Sequence, residues 1–210
     1  MAQLAAAIRT PECIVWITDS ETMDNKAQLD VKSSFRNGII LAHDNIKDGS
    51  ILLDEFCSSQ DVLDLSATQF STDFINFINA KTNKPESGYL VVGYSNNFPI
   101  IHGIHTSRPN LSTFNPFGAA KDNPIMNFLI KSLWYSEMSY SKTIEIMTIG
   151  FVLSKSIMLQ GYNVRMLAGC VRHDGCEIFE DSYITDLLNQ AYSYIDNVRN
   201  KSALLLCGGE

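Results

Sequence analysis

Leu4-Ala5-Ala6-Ala7-Ile8-Arg9-Thr10-Pro11-Glu12-Cys13-Ile14-Val15-Trp16-Ile17-Thr18-Asp19 is the stretch from which the fold is read. Residues 4–9 form a short apolar run. Thr10-Pro11-Glu12 supplies turn chemistry, and residues 13–18 are β-branched and apolar until Asp19 stops them. Two such runs around a proline-bearing turn predict an antiparallel hairpin. The second run is apolar at consecutive rather than alternate positions, so both faces of its sheet are expected to be covered.

Outward from this hairpin, residues 31–35 and 38–43 read as a second strand pair around Arg36-Asn37-Gly38, because Asn-Gly is a strong hairpin signal. The period then changes. A short helix begins over 51–56, and Ser66-Ala67-Thr68-Gln69 has the form of a capping box, in which Ser66 accepts from the third backbone N–H and Gln69 reaches back. Phe70, Phe74, Phe77 and Ile78 follow at i, i+4, i+7 and i+8, one helical face that reads as core rather than as a cofactor contact. Strands return at 89–94 and 99–106 across the turn Ser95-Asn96-Asn97. A polar loop then leads to Phe117-Gly118-Ala119-Ala120.

Helical spacing resumes at Ile125, Phe128, Leu129, Leu133 and Trp134. Ser139 is placed to cap a long helix reaching about Gln160. That helix carries two apolar stripes, Ile144/Met147/Phe151 and Ile146/Ile149/Leu153/Ile157, which predicts cover on two sides. Residues 163–172 and 176–180 form a strand pair around His173-Asp174-Gly175. A last helix carries Ile184, Leu187, Leu188, Ala191, Ile195 and Val198, and residues 200–210 read as a tail.

Consecutive hairpins argue for antiparallel pairing rather than βαβ units. The expected fold class is α+β: two antiparallel sheets stacked face to face with helices on both outer faces, a four-layer αββα sandwich. It forms one domain over residues 1–199, followed by the tail.

The composition narrows the function. Of 210 residues 45% are apolar, which is ordinary, but only 19% are charged, against about 25% in a typical soluble domain. A chain short of charge is expected to hide part of its outside in partners, and to be poorly soluble or unassembled alone. The net charge of −7 and the absence of a Lys/Arg cluster speak against nucleic acid or an anionic membrane as a partner. Five cysteines in a chain this long are not a disulfide scaffold, and a reducing compartment is expected. The N-terminal stretch, interrupted by Arg9, Glu12 and Asp19, does not read as a signal peptide, and no run has the length of a membrane span.

The element order resembles the β-type subunits of the proteasome, which have the N-terminal-nucleophile hydrolase fold. The opening hairpin with its Asp19, the strand Gly88-Tyr89-Leu90-Val91-Val92-Gly93-Tyr94, the helix after Ser139 and the His173-Asp174-Gly175 turn carry the resemblance over nearly the whole chain. Within the family, the start almost at the first strand and the stretch Asn115-Pro116-Phe117-Gly118-Ala119-Ala120 look most like the non-catalytic type-four beta subunit. The resemblance implies a structural subunit of the 20S core particle of cytoplasm and nucleus. It would sit in stacked heptameric rings of α-type and β-type subunits that enclose the chamber of ATP- and ubiquitin-dependent protein degradation. It implies no cofactor, no metal, no nucleic acid and no membrane partner.

Active members of that family use a Thr, Ser or Cys at the N-terminus, whose own amine serves as base. Here the matching place falls near Gln3, and neither Gln3 nor Ala2 carries a nucleophile; the first Thr is Thr10, in the turn beyond the first strand. The family's lysine, which favours the neutral amine, falls near Ser33 or Ser34. Lys32 is close, but a one-residue slip turns a strand side chain to the other face. The family's serine in a small-residue loop falls near Ala119. Only Asp19 is retained, and an aspartate at that strand end also organises its loop. The expectation is therefore no catalytic site and no enzyme activity. The alternatives are a self-assembling proteasome-like hydrolase with an unorthodox nucleophile, for which Cys13 is the best candidate, and a non-enzymatic assembly or binding protein of the same fold.

Other local patterns read as structural. Cys170, His173 and Cys176 have C-x2-H-x2-C spacing, yet a structural zinc site has four ligands and no fourth is evident. His102 and His105 face opposite sides of a strand. His43 reads as a satisfied sheet residue, Arg165 as surface, interface or paired. Cys207-Gly208-Gly209 lacks the strand–helix context of a phosphate loop. The apolar Ala203-Leu204-Leu205-Leu206-Cys207 is expected to dock on a neighbour.

Overall fold

A computed structural model describes residues 4–19, 34–35, 38–43, 46–120, 124–158 and 165–206 of the 210-residue chain. The elements run β1 (Ala5–Arg9), β2 (Ile14–Asp19), β3 (Ser34–Phe35), β4 (Gly38–His43), α1 (Ile46–Ser59), α2 (Ala67–Ala80), β5 (Gly88–Ser95), β6 (Phe98–His105), β7 (Arg108–Phe114), β8 (Phe117–Ala120), α3 (Pro124–Leu133), α4 (Tyr140–Met158), β9 (Met166–Arg172), β10 (Gly175–Ile178) and α5 (Asp181–Leu206). One sheet has the order β10-β9-β2-β1-β8 and the other β3-β4-β5-β6-β7, each five-stranded. Every pairing is antiparallel.

The four layers follow from side-chain parity. Ala5, Ala7, Ile14 and Trp16 of the first sheet meet Ile39, Leu41, Leu90, Val92 and Ile101 of the second. The opposite face of the first sheet, with Ala6, Ile8, Val15, Ile17 and Ala168, packs on Met126, Ile144, Met147, Phe151 and Ile184 of α3, α4 and α5. The opposite face of the second, with Ile40, Tyr89, Val91 and Ile104, packs on Leu52, Phe56, Phe70, Phe74 and Ile78 of α1 and α2. This is why both the Ile14–Ile17 run and the Tyr89–Val92 run are apolar at every position: each residue finds cover whichever way the pleat turns it. The αββα expectation holds.

α4 is covered on more than one side, as its two stripes predict. Ile144, Met147 and Phe151 join the core under the first sheet, while Val152, Ile149 and Leu153 pack with Ala191 and Ile195 of α5. Its first amide donates to Glu12 Oε2 at 2.9 Å, so the β1–β2 turn caps the helix alongside Ser139, whose Oγ accepts from Lys142 N at 3.4 Å.

Several expectations are corrected. The polar segment after β6 is not a loop: it forms β7, an edge strand whose residues are mostly exposed, and the chain then passes to the first sheet as β8. An edge strand with a wet face carries no alternating apolar signal, and Ser112 and Thr113 hid it. The capping box is half formed: Ser66 Oγ accepts from Gln69 N at 3.3 Å, but Gln69 turns its amide to Asp73. On α3 the fully buried residues are Met126 and Ile130, and Phe128 is exposed, so the expected stripe was set about one residue off the buried face. α5 continues to Leu206 rather than ending before a tail at Asn200, consistent with the lack of Gly or Pro before Gly208. In the β3–β4 pair Phe35 sits opposite Gly38; Arg36 and Asn37 lie outside the described residues.

Candidate functional site

The pole at which the family would place its chemistry is built by the start of β1 and the end of β2. Asp19 N donates to Leu4 O at 2.9 Å, and Thr18 Oγ1 donates to the same oxygen at 3.2 Å. Ala5 lies between Thr18 on one side and Ala120 on the other, and Asp19 lies opposite Met166. Leu4, Thr18, Asp19 and Met166 are all buried.

Asp19 follows the parity of Val15 and Ile17, so its carboxylate points into the helix layer rather than between the sheets. There it meets a partner that sequence reading missed. Lys155, on α4 and itself buried, donates from Nζ to Asp19 Oδ2. Burial holds the Lys155 ammonium below its ordinary lysine pKa, and the adjacent carboxylate is what keeps a charge tolerable there. The signal was present in the sequence: Lys155 shares a helical face with Phe151, a residue of the α4 core stripe. A lysine on an apolar stripe demands a buried anion.

The pair neutralises Asp19 from a different element than the family's lysine would. Gln3, Ala2, Lys32 and Ser33 lie outside the described residues, as does the side chain of Ser34; Ala119 is described in backbone only, in β8. Met1 to Arg9 contain no Ser, Thr or Cys. Thr18, next to Asp19 on β2, is buried with its hydroxyl donated to Leu4 O. Cys13 is not at this pole. It precedes β2 while Asp19 ends it, a separation of roughly 20 Å along the strand.

The other sequence candidates do not converge. Cys170 faces the helix layer, whereas Cys176 packs between the sheets, and burial pushes its thiol up to about 11. His173 at the intervening turn joins Asn97 Oδ1 and the Tyr94 ring. No group of three His, Cys, Asp or Glu suited to a metal occurs among the described residues. His102 is buried and bonds Ser71 Oγ of α2 through Nδ1 at 3.0 Å, while His105 reaches Ser107, so the two do face opposite sides. The side chains of His43 and of residues 203–207 lie outside what is described; Arg165 is exposed. No described helix is long and apolar enough to cross a membrane.

No family model and no curated protein sequence matches the chain. Two solved structures of Anbu from Hyphomicrobium sp. strain MC1 do resemble it. One superposes with a TM-score of 0.71 at 14% identity, covering 95% of this chain and 97% of that one. The other, a Gly-1 mutant, gives 0.69 at 12% identity, covering 96% and 97%. Identity this low speaks for architecture alone. With two stacked antiparallel sheets between helix layers matched end to end, the chain has the proteasome-like N-terminal-nucleophile hydrolase fold.

Proposed function

We propose that this chain is a self-assembling, proteasome-like protein, copies of which close around an interior compartment, and that the chain acts as wall rather than as nucleophile. The observation that carries the reading is the end-to-end likeness to Anbu, which leaves neither chain a large unmatched part. A single kind of chain closing on itself accords better with that likeness than a fixed seat among different β-type neighbours. The low share of charged residues, 19%, suits a chain with several buried faces.

The non-catalytic part of the proposal rests on the pole itself. An N-terminal nucleophile needs a hydroxyl or thiol beside a free amine, and residues 1–9 offer neither Ser, Thr nor Cys. Asp19 is turned into the helix layer and held by Lys155. The test is the chain expressed alone and sized by native mass spectrometry, followed by peptide hydrolysis and labelling with an electrophile that traps N-terminal nucleophiles. A particle many times 23.4 kDa made of one chain, without turnover or label, supports the proposal. Turnover with label would make it a hydrolase of the same fold instead.

A second reading, a non-catalytic β-type subunit of a 20S core particle in cytoplasm and nucleus, is favoured by the Asn115–Ala120 stretch and the missing nucleophile. Purification from source cells together with distinct α-type and β-type chains would favour it over self-assembly.

A further inference from the structure

The pole opposite Asp19 holds a second cluster, which the proposed function does not use. The turn from Thr10 to Cys13 closes the first hairpin: Thr10 N donates to Cys13 O at 2.8 Å, and the Thr10 hydroxyl donates to the same oxygen at 2.9 Å. The Cys13 amide returns a bond to Thr10 Oγ1 at 3.1 Å. Cys13 is thereby tied to the turn and lies outside the β2–β9 ladder, which begins at Ile14 opposite Val171.

Register brings a second thiol to it. Val15 lies opposite Cys170, so Cys13, two residues earlier on the same face, is the diagonal neighbour of Cys170. Both side chains are buried in the same core cluster beneath α4. Around them stand Thr10 Oγ1, 3.7 Å from the Cys13 sulfur, and Glu177 Oε2, 3.5 Å from the Cys170 sulfur. Arg172 holds Glu177 at 2.5 Å and lies over the Tyr140 ring. Cys176 is excluded from the pair because it packs on the other face of the sheet.

We propose that Cys13 and Cys170 form an oxidisable dithiol, which a peroxide closes to an intramolecular disulfide. In the first step the Cys13 sulfur attacks one peroxide oxygen, the O–O bond breaks, and the departing hydroxide leaves as water with a proton. Cys13 becomes a sulfenic acid. In the second step the Cys170 sulfur attacks the sulfenic sulfur, the S–S bond forms, and the S–O bond breaks. The hydroxide leaves as water with the Cys170 proton. Two thiols lose two electrons in total and one peroxide is reduced to two waters.

The surroundings assign the two roles. The neighbouring Cys170 thiol holds Cys13 below its ordinary thiol pKa, with Thr10 and Arg172 acting in the same direction against burial. Cys170 donates its S–H to Glu177 Oε2 at 3.5 Å, and the neighbouring Cys13 and burial push it up, so it keeps its proton. The thiolate is the attacking species, which makes Cys13 the peroxidatic thiol and Cys170 the resolving one. Cys57, raised by burial and by Asp54, is the poorer competitor.

The geometry also says what closure moves. Diagonal partners on an antiparallel ladder lie about 7–8 Å apart, beyond the roughly 4.4–6.8 Å between α-carbons that a disulfide accepts. Closure has to draw Cys13 toward β9 together with its turn, because the Cys13 backbone is bonded to Thr10 while the β2–β9 ladder begins at Ile14. That turn carries Glu12, the cap of α4, so oxidation is coupled to the N-terminus of that helix.

The experiment takes the full chain, reduced and then exposed to hydrogen peroxide, alkylated under denaturing conditions and mapped as peptides without reductant. The expected result is one cross-linked peptide pair joining Cys13 to Cys170, lighter by two hydrogens and reopened by dithiothreitol. In Cys13→Ser the pair is absent and Cys170 remains alkylatable. A variant with Cys57, Cys176 and Cys207 changed to Ser still forms it. Oxidation that consumes Cys57 first, joins Cys170 to any other cysteine, or carries Cys13 to sulfinic acid with Cys170 still free would overturn the proposal. Because the map of the unsubstituted chain decides this, a variant that fails to fold does not rescue it.

Discussion

Lys155 Nζ, on α4, donates to Asp19 Oδ2 at the end of β2, joining two buried side chains 136 residues apart. Removing one partner strands the other charge in the core. Lys155→Met is expected to cost about 3–5 kcal/mol, read from the shift in the urea midpoint. The double variant Lys155→Met with Asp19→Asn is expected to lose less than the single one, since no lone charge remains. A double variant as unstable as the two single changes added together would contradict the pairing.

Thr10 is the knot of the first hairpin. Its hydroxyl donates to Cys13 O and accepts from the amides of Glu12 and Cys13. Thr10→Val keeps the shape and leaves the buried Cys13 amide without that partner, an expected loss of about 1–3 kcal/mol. Thr10→Ser restores the hydroxyl and is expected to recover most of it. Equal stability of the valine and serine variants in chemical denaturation would refute the role.

Gly169 lies opposite Trp16 on β2 and Ile178 on β10. A β-carbon there would stand 2.6 Å from the indole ring and run into the Glu177 carbonyl oxygen. The neighbour in the second case is backbone, which cannot swing aside. Gly169→Ala is expected to destabilise by at least about 1–3 kcal/mol, the usual cost of overpacking, and to change the Trp16 fluorescence. An unchanged melting temperature would show that the sheet yields more readily than the packing implies.

His102 is buried between β6 and α2 and bonded to Ser71. Burial holds its pKa below the ordinary histidine value of 6.5. Below that value the unfolded chain takes up a proton that the folded chain resists. The neutral side chain's full contribution is therefore present above about pH 6.5 and is lost as pH falls through the lowered folded value. Unfolding free energies measured between neutral and mildly acidic pH are expected to fall with pH, and His102→Gln to flatten that slope. An identical slope in the variant would place the titration elsewhere.

The layers were legible because consecutive apolar residues in strands and spaced phenylalanines in a helix each have one physical reading. Ile14 to Ile17 demand cover on both faces, and Phe70, Phe74 and Ile78 demand one face of a helix; both demands are met. β7 was not legible, because an edge strand with exposed Ser112 and Thr113 has no buried face to impose a period. Phe128 misled for a related reason: a large apolar side chain is usually core, yet here it is exposed at 68%, which is common enough on a protein surface.

At the candidate site the division is sharper. The sequence by itself determined that residues 1–9 carry no Ser, Thr or Cys, because that depends on residue identity alone. It also marked Asp19 as the strand end. Only the tertiary structure decided where that carboxylate points and what answers it, since Lys155 reaches it through the packing of α4 on β2 and no local spacing encodes that. The same holds at the other pole. Cys13 and Cys170 are 157 positions apart in the chain, and only the register of β2 on β9 makes them neighbours.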